Sequence, residues 1–419
     1  MQYQTDLTNP HSMKHTYLTL SFCFLLFTPA FLLSQCPEGF LLNSEYSVSE
    51  STVFYGSNTT VLGDTVELLM DIYEPEEDSL TARPVLILAF GGSFTSGSRD
   101  DLIMPTLCRQ YAAKGWVAAS IDYRLFPAEL GSPDSLELID ANMKAVSDMK
   151  AAVRHFRQMA SEDNPYRVNP EFIVVGGYSA GAFTGIHAAV IDEDDELPPS
   201  LEQIILNNGG LNGNTGSAEN QSYSSEVQAV LSFSGAVFDT LLIGPNDPPI
   251  ASLHGLADQT VPVDRGRAVG TVTTFGSRLL HQRADNIGLP NFFTPIPGAG
   301  HIDFWFPFLY IASKEAFFLG SDSFFRDLYC DQITQLEPVP SPVAEIQLYP
   351  NPAHHEFRIQ GKNIQGYQSK YVIFNSQGQV VSEGPLNSSQ HRINVSSFSP
   401  GIYWVKVDNG APQPLTVVR

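Results

Sequence analysis

The amino-acid sequence predicts an α/β fold with a mostly parallel sheet, followed by a small all-β sandwich. Three observations carry this. Short, continuous apolar runs alternate with segments of helical spacing from residue 84 to residue 296, the pattern of parallel strands covered on both faces. In the middle of that region a strand run, a G-x-S-x-G and a helix run follow one another directly, from Phe172 to Val190. After Cys330 the texture changes to period-2 alternation broken by turn residues, with no helical pattern.

The elements follow in chain order. Residues 36–80 read as a leading hairpin whose second strand, Val66–Pro75, is stopped by proline. Pro84–Phe90 is a continuous apolar run that ends in the flexible loop Gly91–Gly97. Met104–Lys114 reads as a helix and Trp116–Tyr123 as a further buried strand. Over Leu136–Ala160 the residues Ile139, Met143, Val146, Met149, Val153 and Phe156 recur on one helix face. The acidic run Asp192–Glu196 is expected as a solvated loop rather than a calcium site. Asn207–Ser225, rich in Asn, Gly and Ser, is expected as a long surface loop, a candidate part of a lid. Val227–Phe233, Ile250–His254 and Asn291–Ile296 complete the strands; Asp258 follows the second of them and His301 the third. A proline-rich linker, 336–344, leads to the sandwich at 345–419.

Composition narrows the setting. With 419 residues, 43% apolar and 16% charged, the chain has material for two domains and a sizeable core. Its formal net charge of −22 argues against nucleic acid or an anionic membrane as a partner. Lys14 and His15 precede an apolar run, Tyr17–Leu33, too short and interrupted for a spanning helix; residues 1–34 are expected to be a signal peptide. A lipid-bearing Cys36 is disfavoured by the bulk of Gln35 before it. No other stretch is apolar enough to cross a bilayer, so the mature chain is expected to be exported without a transmembrane segment. Cys36, Cys108 and Cys330 then remain, which allows at most one internal bridge. A Cys36–Cys330 pair would tie the ends of the first domain, 36–335. No Cys/His set has metal-ligand spacing, and neither a metal nor a cofactor is expected.

The chemistry centres on Gly177-Tyr178-Ser179-Ala180-Gly181. A serine on a strand-to-helix turn leaves no room for side chains two positions either side. Its hydroxyl needs a base and a group to orient that base. Asp258, in His254-Gly-Leu-Ala-Asp258, and His301, in Gly298-Ala-Gly-His301, each follow a strand. The chain order Ser, Asp, His would bring all three to the carboxyl edge of one parallel sheet. His301 is then the base, Asp258 its orienter and Ser179 the nucleophile. Two have a structural alternative: a turn histidine for His301 and a helix N-cap before Thr260-Val261-Pro262 for Asp258. His254 reads as a packing residue at a strand end, Asp303 as an exposed acid and His187 as a helix-face residue. Oxyanion donors are expected from the N–H groups of Gly92, Ser93 and Ala180.

On Asp71-Ile72-Tyr73, Gly91-Gly92-Ser93-Phe94, Asp122-Tyr123-Arg124-Leu125, Gly177–Gly181, His254–Asp258 with Val261-Pro262, and Gly300-His301, residues 60–310 resemble the secreted carboxylesterases of the α/β-hydrolase superfamily, near its hormone-sensitive-lipase-like and feruloyl-esterase-like groups. The resemblance implies an α/β-hydrolase fold and hydrolysis of short-chain or aromatic acyl esters, small or polymer-linked, through an acyl-enzyme. One departure is Phe90, where the family usually has a histidine that orders the loop. Leu348-Tyr-Pro-Asn-Pro352, Asn375-Ser-Gln-Gly-Gln379 and Phe398-Ser-Pro-Gly-Ile-Tyr-Trp404 resemble the C-terminal sorting domain of the type IX secretion system. That likeness implies the type IX machinery as a partner, passage through the periplasm of a Gram-negative bacterium, and a secreted or cell-surface destination. A peptidase of the same fold and a catalytically silent surface-binding protein are the alternatives.

Overall fold

The computed structural model describes residues 41–43, 46–306, 308–335, 346–361, 370–375, 379–386, 390–407 and 413–419. The expected signal peptide, Cys36 and the linker 336–344 lie outside the described residues. Cys330 is disulfide-bonded and Cys108 is a free, buried thiol.

Strands β1 (Val48–Thr59) and β2 (Thr65–Pro75) form the leading hairpin. The alternation then runs β3 (Arg83–Ala89), α1 (Met104–Ala112), β4 (Val117–Ile121), α2 (Ser135–Ser161), β5 (Val168–Tyr178), α3 (Ala180–Val190), α4 (Pro199–Asn207) and β6 (Ala229–Phe233). It continues through β7 (Ala236–Val237), β8 (Ile250–Gly255), β9 (Arg265–Ala268), β10 (Val272–Gly276), α5 (Ser277–Ile287), β11 (Asn291–Ile296) and α6 (Ile311–Gln335). Eight strands make one sheet in the order β1-β2-β4-β3-β5-β6-β8-β11. Within it β2 alone runs against the rest. This is the α/β-hydrolase arrangement. β7, β10 and β9 form a separate small antiparallel sheet.

The apolar runs become the buried centre for the reason their composition suggests. Every residue of β3, β4 and β6 is buried, since helices cover both faces of a parallel sheet. Helix α2 begins at a capping box: the Asp134 carboxylate accepts from the N–H groups of Leu136 and Glu137, and Glu137 accepts from Asp134 N–H at 2.8 Å. Trp116, just before β4, packs edge to face with Phe325 and tilted against Phe172, which meets Tyr329 edge to face, joining the start of β4 to β5 and α6.

Loop 207–225 is not a lid. Its Thr215 and Asn220 are buried, and basic side chains of α2 fasten it down. Lys150 donates to Leu211 O, and Arg154 donates to Asn212 O, Thr215 O and Asn220 Oδ1. Arg124 anchors the same region from the loop after β4. It pairs with Asp148, also donates to Thr59 O, Lys144 O and Thr215 Oγ1, and is shut off from solvent. The composition of the loop matches a mobile segment, but its polar backbone is consumed by cations already buried on α2.

The C-terminal strands are β12 (Ile346–Tyr349), β13 (Glu356–Gly361), β14 (Lys370–Phe374), β15 (Val380–Pro385), β16 (Gln390–Asn394), β17 (Gly401–Val407) and β18 (Gln413–Val417). They form two antiparallel sheets, β12-β13-β16 and β15-β14-β17-β18. Alternate residues enclose their own core: Tyr403, Val405 and Val407 point inward from β17, while Ile402 and Trp404 face out. Within the Tyr-Pro-Asn-Pro segment, Asn351 donates to Pro414 O and accepts from Thr416 N–H, which ties the segment to β18.

Removing the Asp148 carboxylate would strand the Arg124 guanidinium in the core. Asp148→Ala is expected to lower the free energy of unfolding by about 3–5 kcal/mol in chemical denaturation. A loss below about 1 kcal/mol would mean that the pair does not hold this region.

Candidate active site

Four strand ends build the site. β3 leads into Gly92 and Ser93, β5 into Ser179, β8 into Asp258 and β11 into His301, so the predicted residues gather at the carboxyl edge of the sheet. Ser179 sits at φ 53°, ψ −120°, a strained conformation for a residue with a side chain. Its own N–H donates to Phe233 O at the end of β6, which helps hold the turn. Gly181 passes so close to β3 that a Cβ there would lie 1.9 Å from Ala89 O. That contact explains the second glycine of the motif without appeal to its flexibility.

The three side chains form one chain of hydrogen bonds. His301 Nε2 lies 2.8 Å from Ser179 Oγ, and His301 Nδ1 lies 2.7 Å from Asp258 Oδ2. The Asp258 side chain is fully buried, and the His301 side chain keeps 15% of its exposure. Asp258 fulfils both readings of the sequence at once. Its Oδ1 accepts from the N–H groups of Thr260 and Val261, both at 2.9 Å, as a cap would. Its Oδ2 serves the imidazole. No helix follows that cap, however; the chain turns into the β9–β10 hairpin instead. Burial alone would push the Asp258 carboxyl up, but hydrogen bonds from His254 and His301, the charge on His301 and the Val261 N–H hold it well below the usual carboxylate range.

Three further residues act on this geometry, in roles that the sequence reading does not give them. His254 is fully buried, and its Nε2 faces two acceptors, Asp258 Oδ2 at 3.1 Å and Val261 O at 2.9 Å. Nε2 must therefore carry a proton, while Nδ1 lies 2.8 Å from Ser277 Oγ. His254 thus braces the carboxylate that braces His301. Ser234 donates to His301 O at 2.8 Å and fixes the loop backbone. Asp303 is not an exposed acid: it is half-buried and accepts from Gly300 N–H at 2.7 Å, closing the turn that presents His301.

The loop after β3 coils through three successive positive φ angles, at Gly92, Ser93 and Phe94. At Gly92 a Cβ would meet Ser96 O at 1.9 Å, so only glycine fits. Among the described residues, the N–H groups of Gly92, Ser93 and Ala180 donate to no other group, and they remain available to a ligand. Tyr123 supplies the order that a histidine at position 90 would give. Its ring stacks on Phe90 with centroids 4.3 Å apart, and its hydroxyl donates to Phe90 O at 2.9 Å. Phe126 N–H donates to Phe94 O at 2.7 Å and holds the far side of the loop.

Beside Ser179 opens an apolar cleft walled by Phe94, Leu138, Phe183 and Phe238. His187 does not lie on an open helix face but behind this wall, fully buried. It donates from Nδ1 to Phe183 O at 2.8 Å, accepts at Nε2 from Phe238 N–H at 3.2 Å, and packs at a tilt against the Phe238 ring, centroids 4.1 Å apart. Both roles require the neutral imidazole, and burial lowers its pKa to about 4. Among the described residues no cluster of His, Cys, Asp or Glu could hold a metal ion, and no helix is long and apolar enough to cross a membrane.

Residues 70–239 match the BD-FAE family model, and residues 347–415 match the secretion system C-terminal sorting domain. The likeness read from the sequence motifs therefore holds in both parts. Esterase LipC of Mycobacterium tuberculosis is 27% identical over 258 residues, which cover 57% of this chain and 58% of that protein. Esterase LipQ of the same organism is 27% identical over 158 residues, covering 38% of this chain and 32% of that protein. The chain thus spans little more than half the length of the longer-matching relative. The apo form of Thermogutta terrifontis esterase 2 aligns with a TM-score of 0.47 at 22% identity, over 66% of this chain and 94% of that one. Its propionate-bound form gives 0.46 at 21%, over the same shares.

Because native His187 stays neutral down to about pH 4 while an unfolded histidine protonates near 6.5, stability is lost as the pH falls through that window. Between pH 7 and pH 5 this residue accounts for about 2 kcal/mol. His187→Gln is therefore expected to lose about 2 kcal/mol less than the parent over that interval, measured by denaturant unfolding at both pH values. Equal losses would show that His187 does not set this slope.

Proposed function

We propose that this chain is an exported serine carboxylic-ester hydrolase. The single observation that carries the reading is the continuous path from Ser179 Oγ through the His301 imidazole to the buried Asp258 carboxylate, beside three unengaged backbone N–H groups. His301 Nε2 takes the Ser179 proton as the hydroxyl attacks the ester carbonyl. The N–H groups of Gly92, Ser93 and Ala180 receive the negative charge that develops on the carbonyl oxygen, assisted by the N-terminus of α3. The imidazolium, steadied by Asp258, returns the proton to the departing alcohol and leaves an acyl-serine. Water, activated by the same imidazole, then releases the acid. No step calls on a metal or cofactor.

The acyl group is proposed to be short or aromatic, because the cleft beside Ser179 is small and largely walled by aromatic and branched side chains. The match of residues 347–415 supports export by the type IX machinery, and the match of 70–239 together with the named esterases supports ester over peptide hydrolysis.

Ser179→Ala is expected to abolish turnover of p-nitrophenyl acetate to within about 10³–10⁴ of the uncatalysed rate. Full turnover by that variant would end the proposal. Asp258→Asn places an amide against four hydrogen-bond donors and is expected to cut kcat by about 10⁴ while the protein stays folded.

A further inference from the structure

We infer that Val269, at the turn of the β9–β10 hairpin, closes the acyl side of the cleft and sets the longest acyl chain the site accepts. The inference rests on the proposed ester hydrolysis at Ser179.

The cleft, counted with its open mouth, measures about 370 Å³. It touches Ser179, Ala180 and Ser93, which are the nucleophile and the oxyanion loop, but His301 is not among its lining residues. The imidazole must face the leaving alcohol to protonate it. A cleft that meets the nucleophile and the oxyanion donors without meeting the imidazole therefore receives the acyl group.

The outer part of that cleft belongs to the hairpin. Ala268 and Val272 are buried in its wall, while Val269, 39% exposed, forms the rim. Val269 has φ 45°, a left-handed conformation that a β-branched residue rarely adopts. Gly270, one residue later, is also left-handed, at φ 73°, where glycine bears no such cost. The strained residue is pinned from two directions. Its N–H donates to Thr260 O at 2.7 Å, and Ser135 Oγ on α2 donates to Thr271 O at 3.2 Å. Strain of this kind persists where the surroundings over-determine it, and it clusters at ligand clamps.

The anchor at Thr260 connects the rim to the chemistry. Asp258 Oδ1 accepts from Thr260 N–H, and Thr260 O in turn accepts from Val269 N–H. The carboxylate that orients His301 therefore also fixes how far the isopropyl group of Val269 stands from Ser179. A rim held so firmly acts as a ruler rather than a flap.

The test compares the full chain with Val269→Gly and Val269→Leu on p-nitrophenyl acetate, butyrate and octanoate. Val269→Gly is expected to raise kcat/KM for octanoate, and to raise the octanoate-to-acetate ratio by about tenfold or more. Its melting temperature is expected to equal or exceed the parent's, since glycine relieves the left-handed strain. Val269→Leu is expected to lower the butyrate-to-acetate ratio. Ratios within about twofold of the parent in both variants would overturn the inference. So would a Val269→Gly ratio that rises only through loss of acetate turnover. A parent that hydrolyses none of the three esters would overturn the reading of the site and this inference with it, a failure distinguished by its presence in the unmutated chain.

Discussion

The buried carboxylate of Asp258 holds the site together. Its two oxygens accept four hydrogen bonds, two from backbone N–H groups and two from imidazoles. A charge in the interior is costly unless such bonds replace its water. Here each bond also performs a second task. The backbone pair shapes the turn that launches the β9–β10 hairpin, His301 is held toward Ser179, and His254 locks the carboxylate in place. Loss of that one charge would therefore disturb the base, the turn and the cleft rim together.

The geometry is stored in backbone rather than in side chains alone. Ser179, Ser93, Phe94, Ser234 and Val269 all occupy positive φ, and every one of them borders the cleft or fastens the loop that carries His301. Each such residue is disfavoured locally, and Ser179, Phe94, Ser234 and Val269 are each tied by a hydrogen bond named above. The parallel sheet makes this affordable, because its strands β3, β5, β6 and β8 are rigid and almost wholly buried. Flexibility at the strand ends would scatter the N–H groups that must converge on one oxygen.

Much of this was legible in the sequence. The apolar runs Pro84–Phe90 and Asn291–Ile296, and the face of α2, appear nearly where their periodicity puts them. The convergence of Ser179, Asp258 and His301 was legible because each follows a strand and the order is restrictive. Helix α6 was not: its aromatic residues and its charged and polar ones are spread around the helix, so no 3.6-residue stripe stands out. The β9–β10 hairpin was hidden because Thr260-Val261-Pro262 reads equally well as a helix start. Tyr123 acts through Phe90, 33 residues away, a partnership that leaves no trace in single-sequence pattern, whereas His254 braces Asp258 from within one short motif, where a packing role reads just as simply. Loop 207–225 misleads for a related reason: its Asn, Gly and Ser content suggests mobility, while the side chains that fasten it, Lys150 and Arg154, lie on α2.

The most direct test of the central claim is chemical capture of the nucleophile. The full chain would be treated with a small dialkyl fluorophosphate, digested, and its adducts mapped by mass spectrometry. The account predicts one stoichiometric adduct, on Ser179, formed far more slowly in His301→Ala because the hydroxyl then lacks its base. An unmodified Ser179 in protein that still hydrolyses esters, or an adduct confined to another residue, would contradict it.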